Sequence, residues 1–173
     1  MPQADAAGPL VDTVVEDARW DGLGLGRLAD RAVAATLAGL RLPVQGLSVC
    51  VMGCDDARIA ALNADFRGRP APTNVLSWPA HDRPRAGPGQ PPEPPEAGTD
   101  DDPEPLGDIA LAFDTCAAEA AAQGKALPDH VTHLIVHGTL HLLGYDHGDD
   151  ADAALMEAAE TRILAGLGVA DPY

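Results

Sequence analysis

Two periods of apolar spacing alternate along the chain, and the switches between them mark its elements. LVDTVVE at 10–16 and LSVCVMG at 47–53 read as strands. Between them Gly22, Gly24 and Gly26 interrupt the chain before a helix over about 26–40, whose Val33, Leu37 and Leu40 recur at i, i+4 and i+7. Asp55 or Asp56 can cap a helix over about 56–67, with Ile59, Leu62 and Phe66 on one side. NVLSWP, ended by Pro79, and LGDIALAF at 106–113 supply two more strands. An Ala-rich helix over about 114–124 stops at Gly124, and the next starts at Pro128 and stops at Gly144. A last helix over about 150–166 turns Leu155, Ala159 and Ile163 inward. These signals predict an α+β fold: a single mixed sheet of about four strands packed with about five helices.

One stretch breaks the pattern. Residues 80–105 contain no Leu, Ile, Val or Phe, but hold eight prolines and seven acids against two arginines. Such a composition lacks the apolar surface to offset ordering, so the segment reads as a Pro/acid-rich inserted or mobile loop within one domain spanning 1–173. Aromatics make up only 3% of the chain, which leaves the core to Leu, Val, Ile and Ala.

The formal net charge of −16 argues against broad attachment to DNA or to an anionic membrane, since both require cationic surface. No apolar run approaches the ~18–20 residues needed to cross a bilayer. MPQADAAGPL lacks the basic and apolar regions of a secretory leader. Cys50, Cys54 and Cys116 are odd in number and have no CxxC spacing, which fits a reducing, cytoplasmic setting.

The chemistry lies in the helix that starts at Pro128. Five of the six histidines fall at 130, 133, 137, 141 and 147. At about 100° per residue the first four share an ~80° sector of the helix. The rest of its circumference is apolar, the mark of a buried helix, and burying imidazoles is costly unless they bind something. His137 and His141 stand one turn apart and can share a metal ion. His133 and His141 are ~12 Å apart along the axis and cannot. Gly144 can turn the chain back so that His147 returns as a third ligand. Three imidazoles leave a fourth position open for water, as in catalytic zinc sites. Zinc is the first choice for the one divalent ion, although three histidines also suit nickel, copper or iron. Zinc proteases place Glu directly after the first His. Gly138 stands there, so Asp146 is the nearest carboxylate to orient a ligand or act as base.

The run H137-G-T-L-H141-L-L-G-Y-D-H147 resembles the signature of the YbeY family of bacterial endoribonucleases at every fixed position. L62-N-A-D-F-R67, P72-T-N-V-L-S-W-P79, L106-G-D-I109 and D171-P-Y173 are similar to further family motifs, in the same order. Trp78 stands where Phe is usual, and 80–105 is longer and more acidic than the resemblance leads one to expect. The resemblance implies metal-dependent cleavage of single-stranded RNA, in processing of ribosomal RNA and especially maturation of the small-subunit (16S) 3′ end. It also implies ribosome quality control, with the ribosome or its small subunit as partner. It carries the metal ligands onto His137, His141 and His147, and a functional arginine onto Arg67, whose planar fork suits a phosphate. Thr73 and Ser77 are candidate hydrogen-bond donors to substrate, and Arg58 and Arg69 could extend a basic patch. Two rival expectations keep the metal: hydrolysis of another ester or amide, and a non-catalytic ribosome-associated module.

Overall fold

A computed structural model describes residues 10–173. The reading of the N-terminus as leaderless falls on residues 1–9, outside the described residues. The elements are β1 (Leu10–Val15), α1 (Arg19–Leu23), α2 (Leu25–Gly39), β2 (Leu47–Cys54), α3 (Asp56–Arg67), β3 (Val75–Pro79), β4 (Glu104–Ala112), α4 (Phe113–Gln123), α5 (Leu127–Leu142) and α6 (Asp150–Gly166). The four strands make one mixed sheet in the order β1-β2-β4-β3. β1, β2 and β4 run parallel, and β3 pairs antiparallel to β4 at the edge.

The pleat divides the core in two. Val49, Val51, Ile109 and Leu111 face α2 and α5, where they join Val33, Leu37, Ile135 and Leu140. Cys54, Leu76, Ala110 and Ala112 face the opposite way and meet Ile59 of α3. Each fully buried Leu or Ile contributes ~1.5–3 kcal/mol. The core therefore clamps α5 between the sheet and α6 and fixes the direction of its histidine stripe.

Three details differ from the sequence reading. α1 lies inside the glycine-rich stretch read as a break; its five residues are held by the fully buried Trp20, whose indole donates to the Cys54 carbonyl at 2.9 Å. The inward face of α6 carries Met156, Ala159, Glu160, Ile163 and Leu164, while Leu155 is half-buried. The segment before β4 has almost no regular structure, as its composition implies, yet it packs as a strap over the C-terminal end of α5. Pro92 and Pro95 are buried, Gly98 N–H donates to the Gly46 carbonyl at 2.8 Å, and Arg85 pairs with Asp152 of α6 at 2.9 Å. Proline lowers the entropy that such ordering costs, and the contacts are long-range, so local composition does not reveal them. Among the described residues no helix is long and apolar enough to cross a membrane.

Candidate metal centre

α5 begins with Pro in its first turn and ends at Leu142, and Gly144 follows at φ +99°. Only glycine adopts that conformation readily, and it reverses the chain as the sequence predicts. A Cβ on Gly144 would stand 2.9 Å from the Cβ atoms of both Arg83 and Pro92, so the turn also receives the strap. After the turn the Tyr145 carbonyl accepts a hydrogen bond from His141 Nδ1 at 3.0 Å. Asp146 Oδ1 accepts the His147 backbone N–H at 2.8 Å. His147 then lies with its ring centroid 5.2 Å from His141 and 5.7 Å from His137.

His137 is held from the other side. Its Nδ1 donates to Glu160 of α6, at 3.1 Å to Oε1 and 3.3 Å to Oε2. Glu160 is wholly buried. Burial alone would push its carboxyl up, but donors from His133 (2.6 Å), His137 and the Tyr173 hydroxyl (2.8 Å) outweigh burial and hold it at about 2. The carboxylate is thus ionised and fully engaged, the condition under which a buried charge is tolerated.

These second contacts favour one tautomer for each ring. With Nδ1 of His137 facing a carboxylate and Nδ1 of His141 a carbonyl, the neutral form of each ring leaves its Nε2 lone pair free. The two Nε2 atoms face each other at 3.1 Å. Two lone pairs at that distance repel unless a cation lies between them. Two ligands at ~2.05 Å in tetrahedral geometry would stand ~3.3 Å apart, so the pair matches a shared zinc-sized ion. Burial, with His137 and His147 adding to it, pushes His141 down to about 4, which keeps it neutral and able to ligate. His137, His141 and His147 form one group able to hold a metal. His133, His137 and Glu160 form a second. Because Glu160 already binds the Nδ1 edge of His137, that triplet supports the first site from behind, as carboxylates commonly do for ligating histidines.

The histidines form one end of an open cleft of about 690 Å³ along the edge strand β3. Arg67, Ser77 and Asp146 line it with them. Thr73, half-buried in the turn before β3, is not on its wall. None of the described hydrogen bonds joins Asp146 to the ring of His137, His141 or His147; Glu160 and the Tyr145 carbonyl bond the first two. Gly138 is buried against the sheet, where a Cβ would lie 3.2 Å from Ile109 Cδ1. Close helix–sheet packing thus explains why no carboxylate follows His137.

Glu160 escapes the sequence reading, and Tyr145 and Tyr173, although they lie in family-like motifs, were given no contact with the histidines there. The available signal was a lone acid at the centre of the apolar face of α6, between Met156, Ala159, Ile163 and Leu164. His130 is buried elsewhere on α5, with Nε2 at 2.9 Å from Glu119, apart from the metal group.

The family model for Endoribonuclease YbeY matches residues 16–168. A relative of that description from Cereibacter sphaeroides is 65% identical over 165 residues, spanning 95% of this chain and 99% of its own. Another from Dinoroseobacter shibae is 59% identical over 169 residues, spanning 98% and 93%. The solution structure of TM1509 from Thermotoga maritima superposes with a TM-score of 0.54 over 92% of each chain at 17% identity, a likeness of fold alone.

Proposed function

The chain belongs to the YbeY family, and from that premise we propose that it is a metal-dependent endoribonuclease specific for single-stranded RNA. The observation that carries the reading is the facing pair of His137 and His141 Nε2 atoms, 3.1 Å apart, in a cleft shared with Arg67. His137, His141 and His147 would hold one divalent cation, with zinc the first choice. Such a cation polarises a phosphoryl oxygen and makes water acidic enough to act as a nucleophile near neutral pH.

The remaining steps belong to the chain's own groups. Arg67 presents donors to the non-bridging phosphate oxygens and offsets the charge that builds there. Asp146, whose carboxylate accepts the His147 N–H in the turn, would take a proton from the attacking water. Ser77 can donate to the substrate from β3. The open cleft takes an unpaired strand more readily than the stiff, wide body of a duplex. The physiological substrate in this reading is ribosomal RNA, at the 3′ end of small-subunit 16S RNA and on defective ribosomes, in the cytoplasm.

The test is cleavage of one end-labelled RNA offered single-stranded and as a duplex. The expected result is internal cutting of the single strand only, abolished by chelation and by His141→Ala. Replacing Arg67 by Ala should lower kcat/KM by about 10²-fold or more, the range seen for loss of one electrostatic stabiliser. Equal cutting by wild type and His141→Ala would refute the assignment.

A further inference from the structure

A protein of net charge −16 that grips RNA must collect its cations locally. The strap does this by sorting its charges. Both of its arginines, Arg83 and Arg85, line the cleft, whereas five of its six acids do not. Asp82 is the exception. The two arginines are not equivalent. Arg85 is neutralised by Asp152 at 2.9 Å and ties the strap to α6. Arg83 has no carboxylate partner among the described residues. Its Nε reaches only the Leu142 carbonyl at 3.4 Å, and its buried Nη2 has no hydrogen-bond partner. The Arg83 guanidinium therefore has donors that nothing among the described residues uses, and turning the side chain towards the cleft it lines would give them ligand oxygens. Arg67 likewise has no ion-pair partner among the described residues. The two guanidiniums enter the cleft from opposite sides in the chain, one from the helix before β3 and one from the strap after it.

We infer that the strap supplies a second phosphate-binding subsite to the cleft, with Arg83 as its contact to a backbone phosphate of the RNA strand beyond the one Arg67 serves. The inference rests on the ribonuclease reading and adds a segment that its composition marks as acidic and unstructured. Arg85 is the tether that fixes the subsite, through Asp152. The backbone N–H of Gly89 bonds the same Asp152 carboxylate at 2.9 Å and reinforces it.

The experiment uses the full metal-loaded chain and a labelled single-stranded 2′-O-methyl RNA oligomer, recovered intact after titration. Affinity is measured between about 50 and 200 mM salt for wild type, Arg83→Gln, Arg83→Lys and Arg85→Gln. Each neutralised phosphate on a single strand contributes ~0.7 to the slope of log affinity against log salt. Arg83→Gln is expected to weaken binding about tenfold, as for loss of one charge-assisted hydrogen bond, and to reduce the slope by ~0.7. Arg83→Lys should keep the slope and lose only part of the affinity, because the charge stays and the fork goes. Arg85→Gln, which loosens the tether, should weaken binding less than Arg83→Gln does, because the Gly89 N–H still holds Asp152. Bound metal per chain, measured on each variant, should equal that of wild type. Wild-type affinity and slope in Arg83→Gln, while wild type binds and cuts RNA, would overturn the subsite alone. Loss of metal together with affinity in Arg83→Gln would assign the residue a structural role and also overturn it. Failure of wild type to bind or cut any single strand would overturn both readings.

Discussion

At the scale of single residues, the histidine cluster is braced by groups that do not line the cleft. Glu160 orients His137 and is itself fixed by His133 and Tyr173. Glu160→Gln keeps the shape and removes the charge. It should weaken metal binding about 10–100-fold, as supporting partners of ligating histidines do, read by competition with a chromogenic chelator. Unchanged affinity would show that the carboxylate is a bystander. The thiols give a pH prediction of known sign. Burial first, and acidic neighbours second, push Cys54 and Cys116 up to about 12 from an ordinary 9.0. The folded state therefore keeps protons that the unfolded chain releases. That contribution is whole below about pH 9 and is lost as pH rises towards 12. The urea midpoint should fall over this range, and fall less in a Cys54→Ala, Cys116→Ala double variant; equal falls would contradict it. The three histidine positions were legible because helical spacing and Gly144 are local signals. Glu160 was not, since it meets His137 across 23 residues of sequence through a packing of α5 on α6 that no local pattern encodes.

At the scale of elements, two glycines of the α5 region join packing to chemistry. Gly144→Ala would add a Cβ at φ +99° and within 2.9 Å of Arg83 and Pro92. It should cost more than ~1 kcal/mol in urea unfolding and should also weaken metal binding, because the same turn returns His147. Stability and metal affinity both equal to wild type would refute the role given to the turn. Gly138→Val would press on Ile109 and should cost ~1–3 kcal/mol, a typical penalty for overpacking. The elements β2, α3, α5 and α6 were legible almost to their ends, because local signals bound them: Asp55 and Asp149 cap α3 and α6, Pro128 opens α5, and Gly68 and Gly144 follow α3 and α5. α1 was hidden by the glycines around its five residues and is held by one buried indole. The strap was legible as irregular but not as ordered: its anchors, Gly46, Leu142 and Asp152, are each distant in sequence.

At the scale of the whole molecule, the sheet, the clamped helix and the strap surround one open cleft in a strongly acidic protein. Metal bound only by the folded state should stabilise it by mass action, about 2.7 kcal/mol when free metal is at 100 times its dissociation constant. Chelation should therefore lower Tm in wild type and leave His141→Ala almost unmoved. The central claim is that one cation on His137, His141 and His147 drives RNA cleavage. Its most direct test is a titration of zinc into stripped protein, following bound metal and the rate of single-strand cleavage in the same samples. The account predicts that both rise together and break at about one ion per chain, with no rise in rate for His141→Ala. Full cleavage before any metal is bound, or a rate that ignores the loss of His141, would contradict it.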